Sequence, residues 1–159
     1  MLQEKTPFTN FELKYTSNLF PKMLSFNHSI KVRYVETDAM QRVHHSNHLI
    51  WFEECRIELL NHMGIPYDQL EASGFLIPVI SAHIEYLKPA SFNQSLAIAI
   101  ELKNKPKVRF KFDYTISHKE DLIAKGQTEH TFINQNNKVV RPPEIFNQAV
   151  DQHWQSDKD

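Results

Sequence analysis

The sequence predicts an α+β domain in which a curled antiparallel sheet wraps one long central helix. Three observations carry that prediction. From Asn47 to Met63, apolar residues recur at three- and four-residue steps (Leu49, Phe52, Leu59, Leu60, Met63). Ile50 and Ile57 widen this face past half the circumference, the pattern of a helix buried on several sides. Runs of strict alternation follow, such as Leu96, Ile98, Ile100, Leu102 and then Val108, Phe110, Phe112, Tyr114, Ile116, which is the period of half-buried strands. Their connections are short, so neighbouring strands are antiparallel. One helix against one such sheet is an α+β arrangement.

Taken in order, residues 1–25 scatter Phe8, Phe11, Leu13, Tyr15, Leu19 and Phe20 with no sustained period. They are expected to form an extension that packs loosely or is partly disordered, ahead of a single domain over 26–155. Ile30, Val32 and Tyr34 alternate with Ser29, Lys31 and Arg33 and predict a first strand. Ser46 and Asn47 both suit the N-cap of the long helix, and Gly64 followed by Pro66 stops it. Ile77–Leu87 and Leu122–Ile133 read as further strands. The run Asn134-Gln135-Asn136-Asn137 turns the last of them into a short Lys138–Val140 piece. Pro142-Pro143 opens a closing helix that carries Ile145, Phe146, Ala149, Val150 and Trp154 on one side. Because a lone curled sheet has exposed edges, a homodimer or homotetramer built through an edge strand is expected.

Bulk properties exclude several functions. A formal net charge of −1 over 159 residues gives no electrostatic case for nucleic acid. No apolar stretch is long enough to span a bilayer. Only 3 glycines argue against loops that cradle phosphates. The N-terminus lacks the basic start and apolar run of a secretory signal. The single Cys55 has no disulfide partner and reads as a small buried hydrophobe. A reducing, cytoplasmic setting is the expectation.

The chemistry concentrates in ETDAMQRVHHSNHLIWFEECR, residues 36–56. One turn holds Asp38, His44, His45 and His48 just before Trp51 and Phe52. The histidines are spaced so that two could share a helical face as metal ligands, but the run lacks the Glu that a zinc peptidase helix carries between its ligands. No metal is expected. Asp38 reads two ways, as a turn cap or as a reactive carboxylate. Trp51 and Phe52 read as core or as pocket walls. Arg56 interrupts the apolar stripe and reads as the partner of a carboxylate such as Glu53 or Glu85.

The stretch VRYVETDAMQRVHHSNHLIWFEECRIELLNHMG resembles the opening of hotdog-fold acyl-CoA thioesterases of the 4-hydroxybenzoyl-CoA thioesterase type. IEYLKPASFNQSLAIAIEL and AKGQTEHTFINQNNKVVRPPE resemble their later strands and the entry to their last helix. The likeness covers about residues 28–150. It implies a hotdog fold and hydrolysis of an acyl-CoA thioester to free acid and coenzyme A, which enters as substrate, so no separate cofactor is expected. A thioester carbonyl needs a base or nucleophile and donors for the developing oxyanion, since a thiolate leaves readily. The resemblance makes Asp38 the base or nucleophile. It puts the oxyanion hole at the helix N-terminus near His45, where first-turn N–H groups are unpaired and the helix dipole is positive. The His45 ring would orient Asp38 or water. His44, His48 and Trp51 would meet the substrate, and Lys107 and Arg109 the nucleotide of coenzyme A, although solvated strand charges are the plainer account of those two.

Two positions depart from the family pattern. Gln41 stands where a glycine is usual, which makes a positive φ costly and predicts a loop that runs differently. His48 stands where an aromatic residue is usual. These departures keep a second function open, a non-catalytic module that binds acyl-CoA or acyl-carrier protein. Hydratase chemistry, on a related fold, ranks last.

Overall fold

The computed structural model describes residues 22–154. Most of the expected extension, residues 1–21, and the last five residues lie outside the described range. Strand β1 spans Leu24–Lys31, and the long helix α1 spans Asn47–His62. A short helix α2 (Tyr67–Ala72) leads into β2 (Phe75–Leu76) and β3 (Val79–Tyr86). The remaining strands are β4 (Ser95–Leu102), β5 (Arg109–His118), β6 (Asp121–Asn134) and β7 (Val139–Val140), and α3 covers Glu144–His153. The main sheet runs β1-β4-β5-β6-β3, antiparallel throughout, and β2 and β7 extend the far end of β6. This is the predicted hotdog arrangement.

The alternation in β4 and β5 works as expected. Leu96, Ile98, Ile100 and Leu102, with Phe110, Phe112, Tyr114 and Ile116, are all buried and face α1 and α3. The long helix contributes Trp51, Phe52, Cys55, Leu59 and Leu60 to that core. Its apolar face is wider than the chain covers, however, and Leu49, Ile50 and Ile57 stay exposed. Burial pushes the Cys55 thiol up to about 12. Its Sγ lies 3.9 Å from the Ile98 carbonyl.

Three expectations need correction. The first strand is Leu24–Lys31, so it begins before the predicted domain boundary and ends before Tyr34. Tyr34 is 77% exposed and opens a 3-10 turn over Tyr34–Glu36. The predicted strand over 77–87 is divided at Ile77-Pro78, because Pro78 has no N–H for the ladder. Gln41 does adopt the left-handed conformation, at φ 60°, so the loop keeps the turn that a glycine would make easily. That conformation costs a non-glycine residue roughly 1–2 kcal/mol. Gln41→Gly is therefore expected to raise the melting temperature by about 2 °C, after its own entropic cost. Gln41→Val is expected to lower it, and thermal unfolding followed by circular dichroism reads both.

Gly126 is required by close approach. It sits in β6 opposite Tyr114, and a Cβ there would lie 2.3 Å from the Phe52 ring. Phe52 in turn stacks on Tyr114 with centroids 4.1 Å apart. Among the described residues, strand β3 pairs only with β6, and Val79, Ile80 and Tyr86 on it are exposed, so one edge of the described sheet is open.

Candidate active site

The loop between the 3-10 turn and α1 is closed at its base by a Thr37–Val43 bridge. The Asp38 N–H donates to the Arg42 carbonyl at 2.8 Å. Asp38 Oδ1 accepts from the Met40 N–H at 2.8 Å and, at longer range, from that of Arg42 at 3.4 Å. The carboxylate therefore caps its own turn through one oxygen, while Oδ2 makes no hydrogen bond among the described residues. The loop is tied to the helix start by the Glu36 carbonyl, which accepts from the His44 N–H at 2.8 Å and from Asn47 Nδ2 at 2.9 Å.

The helix tip differs in detail from expectation. The N–H groups of Asn47, His48 and Leu49 turn back onto the carbonyls of His44, His45 and Ser46, at 3.0, 3.4 and 3.2 Å. The free donor is two positions before Asn47, the His45 N–H, which makes no hydrogen bond among the described residues. The Ser46 N–H reaches only the His44 ring, at 3.4 Å. The His45 carbonyl accepts from the Tyr86 hydroxyl at 3.1 Å, so the end of β3 is held against the tip.

The three histidines do not converge. The His44 and His45 rings lie 4.0 Å apart, both exposed. The His48 ring turns inward between Trp51 and Tyr86 and bonds the His45 carbonyl through Nδ1 at 3.1 Å. A carbonyl only accepts, so Nδ1 carries the proton. Burial holds the His48 imidazole below its ordinary value, against the hydrogen bond to the His45 carbonyl, which raises it. Trp51 is core, and its indole N–H donates to Glu36 Oε1 at 3.0 Å.

Glu36 escaped sequence reading. Its side chain is 3% exposed and takes hydrogen bonds from Arg33 Nε, Nη2 and N–H as well as from Trp51. Burial pushes its carboxyl up, but the Arg33 and Trp51 hydrogen bonds outweigh that and leave it below the usual range. Its role is to anchor the loop on α1. Nothing in the letters separates such a carboxylate from a surface one.

A second polar chain crosses the sheet beneath α1. Its direction follows from its end: His130 Nδ1 bonds the Pro78 carbonyl at 3.2 Å, so Nδ1 is protonated. Burial, then the Arg56 charge, push the His130 imidazole down to about 4. Nε2 of the neutral ring thus accepts from Thr128 Oγ1 at 2.7 Å. Thr128 accepts from the Tyr114 hydroxyl at 3.0 Å, and Tyr114 accepts from Arg56 Nη1 at 3.2 Å. The expected Arg56 ion pair is loose, with Glu53 at 3.9 Å, and Glu85 pairs with His83 instead.

A pH dependence follows from His130. The unfolded imidazole takes up a proton below about 6.5, and the folded one only near 4. Its contribution to stability is whole above 6.5 and is lost as pH falls towards 4, by at most about 3 kcal/mol. Urea midpoints at successive pH values should show this decline, and His130→Gln should flatten it.

Lys107 and Arg109 lie apart from the loop. With Lys103, Lys105 and Lys111 they border a concavity of about 460 Å³. Arg109 stands 3.7 Å from Glu129, and Lys107 has no carboxylate within 4.0 Å among the described residues.

A long helix held in a curled antiparallel sheet is the hotdog arrangement. The chain belongs to the thioesterase-like superfamily, whose family model matches residues 32–150. A putative esterase of Aquifex aeolicus is 31% identical over 77% of this chain and 96% of that protein. The putative acyl-CoA thioesterase YneP of Bacillus subtilis is 39% identical over 43% of this chain and 50% of its own. The DHNA-CoA thioesterase of Staphylococcus aureus superposes with a TM-score of 0.77 at 25% identity, covering 82% of this chain and 91% of that one.

Proposed function

We propose that the protein hydrolyses an acyl-CoA thioester at the tip of α1, with Asp38 as base or nucleophile and the His45 N–H as oxyanion donor. The observation that carries this is the Asp38 carboxylate: Oδ1 is pinned by backbone N–H groups, while neither Oδ2 nor the His45 N–H, on the loop that leads from Asp38 into the helix tip, makes a hydrogen bond among the described residues. As base, Asp38 takes a proton from water, the hydroxide adds to the carbonyl carbon, the C–S bond breaks, and the thiolate leaves with its electron pair. As nucleophile, Oδ2 adds to the acyl carbon, the C–S bond breaks and the thiolate leaves, and water then opens the resulting anhydride. Single turnover in heavy-oxygen water tests the second route, since label in the protein requires an anhydride opened at the Asp38 carboxyl carbon.

Coenzyme A enters as part of the substrate, and the basic concavity with Lys107 and Arg109 suits its phosphates. His44 and His45, exposed on the same turn, are the side chains available to the substrate. The open β3 edge, with exposed Ile50 and Ile57 on α1, supports a homodimer joined strand to strand. A two-fold axis makes that pairing antiparallel, so the Tyr86 end beside one helix tip meets the Val79 end of the partner's β3. The buried thiol of Cys55 suits a reducing cytoplasm, and no helix among the described residues is long and apolar enough to cross a membrane.

Thiol release from a panel of acyl-CoA substrates tests the reading. Turnover of none of them would remove it. Asp38's part in capping its own turn favours one alternative, a module that binds acyl-CoA without cleaving it. Tight binding of the whole panel with no thiol released would establish that instead.

A further inference from the structure

Between α1 and the start of β3 lies a cavity of about 290 Å³, walled by Leu60, Tyr67, Pro78, Phe112 and Phe146. The charged groups lining it are Glu53 and Arg56. The volume is near the lower end of ordinary ligand pockets. The Arg56 side chain is only 14% exposed, yet among the described residues its nearest carboxylate is 3.9 Å away and belongs to Glu53, which is 68% exposed. One of its five N–H donors reaches the Tyr114 hydroxyl. A sequestered cation with so loose a counter-charge is unfavourable unless an anion joins it.

The polar chain beneath the helix keeps the guanidinium at the cavity wall. Because every link runs from Arg56 through Tyr114, Thr128 and His130 to the Pro78 carbonyl, Tyr114 offers Arg56 a lone pair and competes for none of its acceptors.

We propose that Arg56 determines specificity by receiving a carboxylate at the far end of the acyl group, so that the preferred substrates are CoA monothioesters of dicarboxylic acids. The proposal rests on the thioesterase reading of the helix tip. A guanidinium and a carboxylate match as two parallel hydrogen bonds, and the apolar walls take the methylenes. Along α1, Arg56 lies nine residues past Asn47, about 13 Å at 1.5 Å per residue. Helical side chains lean towards the N-terminus, which brings the guanidinium nearer the tip and within the span of a medium-length diacid. An acyl group ending in a methyl would leave the cation beneath hydrocarbon.

The test measures affinity by calorimetry on the full chain, using thioethers of coenzyme A that cannot be cleaved. The carboxypentyl thioether is expected to bind roughly ten- to hundredfold more tightly than the hexyl thioether. Arg56→Met, which keeps most of the bulk, should bring the two to near parity, and Arg56→Lys should keep part of the preference. Thr128 is a positioning residue: Thr128→Val should weaken the preference and Thr128→Ser should restore it, a pattern that packing alone would not give. Equal affinity, preference for the hexyl thioether or no binding of either by the unaltered protein would overturn the proposal. So would a preference that survives in Arg56→Met. The thioethers report without turnover, so a failure of thioester cleavage removes the hydrolase reading separately.

Discussion

Asp38→Asn is expected to lower kcat for acyl-CoA hydrolysis roughly 10²- to 10⁴-fold while leaving the fold intact. The substitution separates the two duties of this side chain. The carboxamide oxygen still accepts the Met40 and Arg42 N–H groups that Oδ1 accepts now, so the loop keeps its turn. What disappears is the negative charge that would take a proton from water or attack the acyl carbon. Asp38→Ala removes both, and should add about 1 kcal/mol of lost stability to the same loss of turnover. Released thiol measured beside a thermal melt gives both numbers. Full turnover in Asp38→Asn would leave the carboxylate as a turn cap and no more.

The largest effect on stability is expected from Gly126→Ala. One added methyl would sit 2.3 and 2.5 Å from two carbons of the Phe52 ring. That ring cannot retreat easily, since it is fully buried and stacked on Tyr114. Overpacking of this kind costs about 1–3 kcal/mol, several degrees of melting temperature for a chain of this size. The mechanism is checked by pairing: Phe52→Leu alone should destabilise, but in the Gly126→Ala background much less so, because the two residues are in contact. Additive losses would mean that β6 rather than the ring absorbs the methyl.

The sequence made some of this legible and hid the rest for physical reasons. Strands β4 and β5 were readable because one face is core and the other is not, so burial writes itself as alternation. Gly64, at φ 74°, marked the end of α1 as expected. The first strand was placed late because Val32 is buried while the chain leaves the strand at Lys31, so alternation persisted beyond the ladder. Helix α2 is six residues long, too short for a period to show. Within the site, Asp38, His44, His45 and His48 stood out because they are neighbours in sequence. The Tyr114–Thr128–His130 chain did not, because Tyr114 meets the Thr128–His130 pair of β6 only through the register of β5 with β6, which sets Phe112 opposite Thr128. Glu36 lay inside the quoted stretch, but its burial depends on Trp51 closing over it.

Cys55 bears on how the enzyme is assayed. Coenzyme A release is followed with disulfide reagents that consume thiolates, and a protein's own thiols usually contribute a background. Here the only sulfhydryl is enclosed by the core and keeps its proton up to about 12. The folded enzyme should therefore be silent towards such reagents, and any slow colour in a substrate-free blank would report unfolding of the chain, giving a stability readout from the same cuvette.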